Sequence, residues 1–139
     1  MKNLITTILL VASSMTFAQQ KLTVNYEWKL ANKCNSKSPA ISVSGIPSGT
    51  TQLDVKLIDL DYRAADSFHG GGSIKEEAGF PEQFTIPEAA LKSYGGPCPP
   101  NFNAQGHDYE ITVIAKDKGN QVLGKGSVVK TFSAKAVKE

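Results

Sequence analysis

The chain has 139 residues, of which 20% are charged, and its formal net charge at pH 7 is +2. This nearly balanced charge excludes the strongly basic surface on which nucleic-acid-binding proteins depend. Lysines accumulate only near the C-terminus, where a solvated tail explains them better than a groove for phosphates; they are Lys125, Lys130, Lys135 and Lys138. No nucleic-acid partner is therefore expected.

The first 18 residues have the pattern of a secretory signal peptide. Lys2 is followed by the apolar run 4–12 and then by small residues that end at Ala18, as in a positive segment, an apolar segment and a cleavage site. The apolar run is short for a membrane span, and an uncleaved anchor is the alternative. We expect a secreted or periplasmic protein in which residues 19–139 form one domain without an integral membrane span.

Alternating apolar and polar residues predict short strands along this domain. The strands are expected at 21–30, 39–44, 53–59, 109–115 and 122–132. Gly124 and Gly126 are expected to interrupt the last one. No helical periodicity is sustained, so the predicted fold class is a mostly antiparallel β-sandwich or small barrel; an open sheet with one short helix is the alternative.

Two segments between these strands are predicted to have other structures. Residues 59–72 are expected to form a loop, because they end in three successive glycines and glycine is typical of turns. Residues 86–92 are candidates for one helical turn, since Pro87 suits the first helical position and Glu88 the first turn.

The two cysteines, Cys34 and Cys98, both lie in the expected mature domain. In an oxidising compartment such a pair is readily bridged, and the bridge would close a loop of about 65 residues. Two free thiols are the alternative. A metal site is not expected from two cysteines so far apart in sequence.

The segment from Tyr94 to Tyr109, YGGPCPPNFNAQGHDY, is predicted to be a stiff loop that enters a strand. Gly95 and Gly96 can adopt backbone angles that are closed to other residues, and the three prolines fix their own φ angles. The loop is expected to expose backbone amides and leads to His107 at the entrance of a strand. We interpret it as one wall of a small polar pocket.

Four polar residues lie at strand ends or in glycine-rich loops: Asp59, Asp61, His69 and His107, which include both histidines of the chain. An aspartate beside a histidine orients the imidazole and favours its charged form. An imidazolium ion together with backbone amides can hold a phosphate or a carboxylate. The combination therefore predicts a site for a small anionic or zwitterionic ligand.

Other chemistries fit the sequence less well. Two imidazoles and a carboxylate suit a divalent metal, but their spacing has no compact ligand signature. The chain has no Gly-x-Ser-x-Gly elbow, the run Gly70–Gly72 is too short for a phosphate loop, and Cys98 between prolines is a poor thiolate candidate. We expect neither a cofactor nor an enzyme; a hydrolase that activates water with a histidine is the alternative.

An ordered set of motifs resembles the phosphatidylethanolamine-binding protein family, which includes the Raf kinase inhibitor proteins. The motifs are SPAISVSGIPSGT, IDLD, FHG, YGGPCPP and GHDY, and the resemblance in their order and spacing covers Ser38 to roughly Lys116. The resemblance implies a β-sandwich with at most one or two short helices and a small pocket for phosphate or phosphoethanolamine-like groups. The ligand-binding residues that it implies are Pro39, Asp59, Asp61, His69, Gly96, His107 and Tyr109.

The chain departs from the family pattern beside this implied pocket. Leu60 stands where the family has proline between the two aspartates, and glycines follow His69 in place of an apolar strand. Binding of a lipid chain or of a kinase is therefore not expected. The resemblance implies a non-enzymatic secreted binding protein; the alternative is an interaction module that inhibits a protease or a kinase.

Overall fold

A computed structural model describes residues 18–62, 68–100, 105–133 and 135. Within these ranges the chain forms nine strands and one turn of 3-10 helix, Leu30–Asn32. The strands are β1 (Gln20–Lys21), β2 (Thr23–Tyr26), β3 (Ile41–Ser44), β4 (Gln52–Asp59), β5 (Phe68–Lys75), β6 (Gln83–Ile86), β7 (Ser93–Tyr94), β8 (His107–Lys116) and β9 (Val122–Phe132). The predicted mostly-β fold class is confirmed. The predicted signal peptide, apart from Ala18, lies outside the described residues.

The strands form a six-stranded sheet, ordered β1-β9-β8-β4-β5-β7, and a three-stranded sheet, ordered β2-β3-β6. All pairs are antiparallel except β1 with β9. The chain passes from the large sheet to the small sheet at Leu22, which is buried. The single strand predicted at 21–30 is therefore two short strands, because the chain changes sheets to bury its apolar side chains.

Side chains alternate across the strands, and the inward-facing ones form the core. In β4 the residues Leu53, Val55, Leu57 and Asp59 are buried, whereas their neighbours are more exposed. The β4–β8 register pairs Asp59 with Tyr109. Because side chains alternate with a period of two, the side chains of Asp59 and Tyr109 both face inward. They lie at one end of an otherwise apolar core.

The glycine run predicted as part of a loop lies in strand β5. Gly71 pairs with Lys56 of β4, and a β-bulge follows Lys56. A Cβ atom at Gly71, where φ is 153°, would lie 1.8 Å from the backbone oxygen of Val55. The prediction of a loop over 68–72 was wrong because these glycines permit close contact between strands. Residues 63–67 of that predicted loop are outside the described part.

The segment 86–92 does not form the predicted helical turn. Strand β6 ends at Ile86, a turn follows, and Ala89 has a φ of 62°. A residue in the left-handed region cannot belong to a right-handed helix. The amide of Ala89 instead donates to the carbonyl of Ser38. Strand β9 also differs from its prediction, because it continues through both of its glycines.

The predicted bridge between Cys34 and Cys98 is present, with a Cα–Cα distance of 4.6 Å. The two residues are 64 positions apart in sequence, so the chain-entropy contribution of the bridge to stability is about 4 kcal/mol. Within the described ranges, no helix has the length and apolar character needed to cross a bilayer.

Candidate functional site

A buried aspartate–histidine pair joins the end of β4 to the start of β8. Nδ1 of His107 lies 2.7 Å from Oδ2 of Asp59, and their side chains are only 10% and 5% exposed. The other carboxylate oxygen of Asp59 accepts a hydrogen bond from the amide of Asp61 at 3.0 Å. Both contacts hold the carboxylate of Asp59 in place. When Nδ1 of His107 carries a proton and faces that carboxylate, Nε2 is the other polar atom of the ring.

Both histidines contact the ring of Tyr109, which is fully buried. The His107 ring stacks on it, with a centroid distance of 6.3 Å and an interplanar angle of 29°. The His69 ring meets it edge to face at 5.5 Å. Four of the seven residues proposed from the sequence therefore come together: Asp59, His69, His107 and Tyr109.

The hydroxyl of Tyr109 is buried and has no hydrogen-bond partner among the described residues. Burial raises the pKa of this hydroxyl above its ordinary value, the charge of Asp59 raises it further, and the backbone of Cys98 acts in the opposite direction. The hydroxyl of Tyr109 therefore lies close to both the side chain of Asp59 and the backbone of Cys98.

Asp61 is close to the pair in sequence, but its carboxylate contacts the backbone. Its Oδ2 accepts a hydrogen bond from the amide of Asp108 at 2.7 Å. The amide of Leu60 donates to the carbonyl of Asp108 at 2.8 Å. These two bonds attach the end of β4 to the start of β8. Asp61 therefore positions His107, which precedes Asp108.

The loop 95–100, here called the rim loop, packs against the segment 32–35. The amide of Gly96 donates to the carbonyl of Asn35 at 2.7 Å, and that of Gly95 donates to His69 at 2.7 Å. A Cβ atom at Gly96 would lie 2.1 Å from the backbone oxygen of Asn32. The stiff loop is present, but these two amides bind the protein itself and are not free as the sequence analysis expected. Gly96 is needed for close packing.

Pro39 is buried beside Ser38 at the start of the segment that leads into β3. None of the hydrogen bonds or ring contacts of the described residues joins Pro39 to the cluster around Tyr109. The hydroxyl of Ser38 is itself buried without a partner in this part of the chain.

Aromatic residues that the sequence analysis did not assign to the site support it from the core. The ring of Trp28 meets Tyr109 edge to face at 5.9 Å and Phe132 at 5.7 Å. The hydroxyl of Tyr26 donates to the carbonyl of Tyr109 at 3.3 Å. Alternation predicted that Tyr26 and Trp28 face the core, but it carries no information about which end of the core they reach.

The described structure also has concave surfaces that are not lined by the histidines. No group of three or more His, Cys, Asp or Glu residues within the described ranges is arranged to hold a metal. A concave surface of about 490 Å³ lies on the outer face of the small sheet, away from the histidines, and is lined by uncharged residues: Thr23, Asn25, Ser42, Val43, Ser44, Gln83, Phe84 and Thr85. Without a charged group it offers an anion no electrostatic attraction.

Comparisons with known proteins agree with this architecture. The family model described as phosphatidylethanolamine-binding protein matches residues 12–139. The crystal structure of E. coli YbcL, described as a new member of the mammalian PEBP family, has a TM-score of 0.58 and 15% sequence identity, over 84% of this chain and 99% of that protein.

A second solved structure, the putative PEBP homologue CT736 from Chlamydia trachomatis, has a TM-score of 0.56 and 17% identity, over 83% of this chain and 97% of its own. No curated protein sequence is significantly similar to this chain. At identities this low, the two structures establish a common fold and carry no information about ligands.

Proposed function

Because the chain belongs to the phosphatidylethanolamine-binding protein family, we propose that it is a non-enzymatic binding protein for a small anionic or zwitterionic ligand. Phosphate and phosphoethanolamine represent the ligand class. The observation that supports this proposal best is the convergence of both histidines and a buried aspartate on Tyr109. The function requires no cofactor and no nucleophile.

The clustered residues divide into ligand contacts and supports. His69, His107 and Tyr109 carry donors suited to an oxygen-rich anion. Asp59 orients His107 through the 2.7 Å contact and offsets the charge of a protonated imidazole. This pairing favours a ligand that is not highly charged, since a strongly negative group would be repelled by the Asp59 carboxylate.

The other predicted site residues support these contacts. Asp61 holds the start of β8 through the amide of Asp108, and Gly96 lets the rim loop pack against Asn32. Pro39 belongs to the buried segment before β3. We propose that these three residues shape the site without direct contact to the ligand.

We further propose that the protein works outside the cytoplasm, in the periplasm or secreted. The signal-like pattern of residues 1–18 and the Cys34–Cys98 bridge support this location, since disulfides persist in oxidising compartments. Detection of the mature N-terminus at Gln19 by mass spectrometry of extracellular or periplasmic extracts would test it.

Ligand binding is tested by isothermal calorimetry with phosphate, phosphoethanolamine and acetate. We expect saturable binding of at least one of them, and at least tenfold weaker binding in His107→Gln, equivalent to about 1.4 kcal/mol. Trp28, the single tryptophan of the chain, contacts Tyr109 and provides a fluorescence signal for the same titration.

Two further variants make the result interpretable. His69→Ala removes the second ring from Tyr109 and should also weaken binding, whereas Thr85→Ala on the outer face of the small sheet should leave it unchanged. Circular dichroism would verify that each variant keeps its strands. Full affinity in both histidine variants would exclude this cluster as the binding site.

A second candidate function is protein–protein interaction, such as inhibition of a protease or a kinase. Three large apolar side chains near the site residues in sequence are exposed: Leu60 by 48%, Tyr62 by 46% and Phe68 by 58%. A partner captured by the wild type and by His107→Gln, but not by Phe68→Glu, would favour this function over the ligand site.

A further inference from the structure

The disulfide at the rim of the site is open to solvent. Cys34 and Cys98 are both exposed, whereas Gly96, Pro97 and Pro99 of the rim loop are buried. An exposed disulfide can be attacked by an external thiolate, while a buried one is protected. The chain contains no other cysteine, so a reducing agent acts on this bond alone.

Two backbone hydrogen bonds between described residues join this side of the rim loop to the segment 34–35. Pro97, Pro99 and Pro100 have no amide hydrogen to donate. The carbonyl of Pro97 accepts a hydrogen bond from the amide of Cys34 at 2.8 Å, and Gly96 donates to Asn35. Both bonds end on the segment that the disulfide secures.

The conformation of that segment is unfavourable on its own. Cys34 has a φ of 47°, in the left-handed region that non-glycine residues rarely occupy. The bridge to Cys98 and the bond to Pro97 hold it there. Once the sulfur–sulfur bond is broken, Cys34 can relax to a common backbone conformation, and its contact with the rim loop then weakens.

The rim loop contacts the candidate site at two points. The amide of Gly95 donates to the carbonyl of His69 at 2.7 Å. The backbone of Cys98 lies near the hydroxyl of Tyr109, where it influences the pKa of that group. A change in the position of the rim loop therefore alters the surroundings of His69 and Tyr109 together.

We propose that the Cys34–Cys98 bridge is a redox-dependent clamp that keeps the site competent for anions, so that reduction of the bridge loosens the rim loop and weakens anion binding. The ligand part rests on the proposed function. The coupling of the bridge to His69 and Tyr109 does not depend on any ligand.

The chemical step is thiol–disulfide exchange with a dithiol. One thiolate of the dithiol attacks a sulfur of the bridge and forms a mixed disulfide, and the second thiolate then resolves it. The dithiol is oxidised to its cyclic disulfide. Cys34 and Cys98 accept two electrons and, with two protons, become thiols.

The ligand-free test follows the proton resonances of the two imidazoles by NMR before and after reduction with dithiothreitol. We expect the His69 resonances to shift or broaden, while circular dichroism shows that the strands remain. Unchanged resonances of both histidines in fully reduced, folded protein would overturn the inference, whatever the ligand.

The ligand test compares the affinity for inorganic phosphate in the oxidised and reduced forms. We expect at least fivefold weaker binding after reduction. Equal affinity in both forms would overturn this inference and leave the proposed function intact. An oxidised protein that binds none of phosphate, phosphoethanolamine and acetate would overturn the proposed function and, with it, the ligand part of this inference.

The double variant C34S/C98S provides the matched control. It should bind phosphate as weakly as the reduced wild type and should not respond to dithiothreitol. A response of this variant would show that the reagent acts elsewhere and would contradict the clamp. If the variant does not fold, reduction of the folded wild type with reoxidation as the reversal supplies the same comparison.

Discussion

Strands β4 and β8 are joined by two short contacts between an aspartate and a basic side chain, one at each end. Asp59 pairs with His107 on the inner face of the sheet, and Asp54 pairs with Lys116 on the outer face. The two aspartates are five positions apart on one strand, so alternation places them on opposite faces. The pairs have similar lengths, 2.7 and 2.6 Å, but different surroundings.

The outer pair is surrounded by donors and partly exposed to water. Asp54 also accepts hydrogen bonds from Ser73 at 2.6 Å and from Gln52 at 2.7 Å. Partial burial alone would raise the pKa of Asp54, but the bonds from Lys116, Ser73 and Gln52 lower it below its ordinary value. The outer carboxylate is thus fully used by the protein.

The inner pair lies against the ring of Tyr109, whose hydroxyl is buried. The side chains of His107 and Asp59 are 10% and 5% exposed, so water is largely excluded from this pair. The comparison shows that a short ion pair does not by itself indicate a site. Burial and contact with the ring of Tyr109 distinguish the inner pair from the outer one.

The largest difference between the two ends is expected from the removal of one charge in each pair. Asp59→Asn should lower the free energy of unfolding by about 2 to 3 kcal/mol, because it removes a charge-assisted hydrogen bond from a buried site. Asp54→Asn should cost less, at most about 1 kcal/mol, because the outer pair is partly exposed and an asparagine oxygen can still accept from Ser73 and Gln52. Urea denaturation at pH 7 measures both.

Equal losses of unfolding free energy in Asp59→Asn and Asp54→Asn would contradict the expected difference between the inner and the outer pair. Thr85→Ala, remote from both pairs, serves as the control for any general effect of a substitution on a solvent-facing strand position.

A second test uses the pKa of Tyr109, which burial and then Asp59 raise above the ordinary value. The hydroxyl stays protonated in the folded state, but in the unfolded state it ionises above about pH 10. Its contribution to stability is therefore complete below that pH and is lost progressively above it. Tyr109→Phe should flatten this alkaline decline by up to about 1.4 kcal/mol per pH unit.

The measurement is chemical denaturation of both proteins between pH 8 and 12. Tyr94→Phe is the companion variant, because burial also raises the pKa of Tyr94 and its hydroxyl likewise has no partner in the described structure. An alkaline decline that is identical in the wild type and in Tyr109→Phe would mean that this hydroxyl ionises in the folded protein.

The smallest expected effect is the change in stability of the outer pair, Asp54 with Lys116, at acidic pH. Because the folded state has the lower pKa for Asp54, its contribution to stability is present above the unfolded value of about 3.9 and disappears as the pH falls through the folded value. The stability of Asp54→Asn should lie below that of the wild type by at most about 1 kcal/mol at pH 7 and should converge with it in acid. A difference that persists below both pKa values would require another cause.

Local sequence patterns predicted the structure best where they alone decide it. Alternation identified the strands β4, β8 and β9, although not the continuity of β9 through its glycines, and the ordered motifs identified the family. The prediction of a loop over 68–72 was wrong, because the glycines were interpreted as a turn signal. The close approach of Gly71 to the backbone of Val55 depends on a neighbouring strand, which no local pattern reveals.

The sequence predicted which residues form the candidate site, but only partly what each of them does there. Asp59, His69 and His107 come together as expected, but Asp61 and Gly96 bind backbone groups of the protein. Their partners, Asp108 and Asn35, are distant in sequence. The contribution of Trp28 was not predicted, because an aromatic core residue has the same local signal wherever it packs.

The sequence by itself determined the β character, the family and the residue types from which an anion site can be made, because period-two alternation and ordered motifs are local properties of the chain. Only the tertiary structure decided which carboxylate is buried beside an imidazole and which is shared among exposed donors. That decision depends on strand register and on which face of the sheet meets the second sheet, and both are set by contacts between residues far apart in the chain.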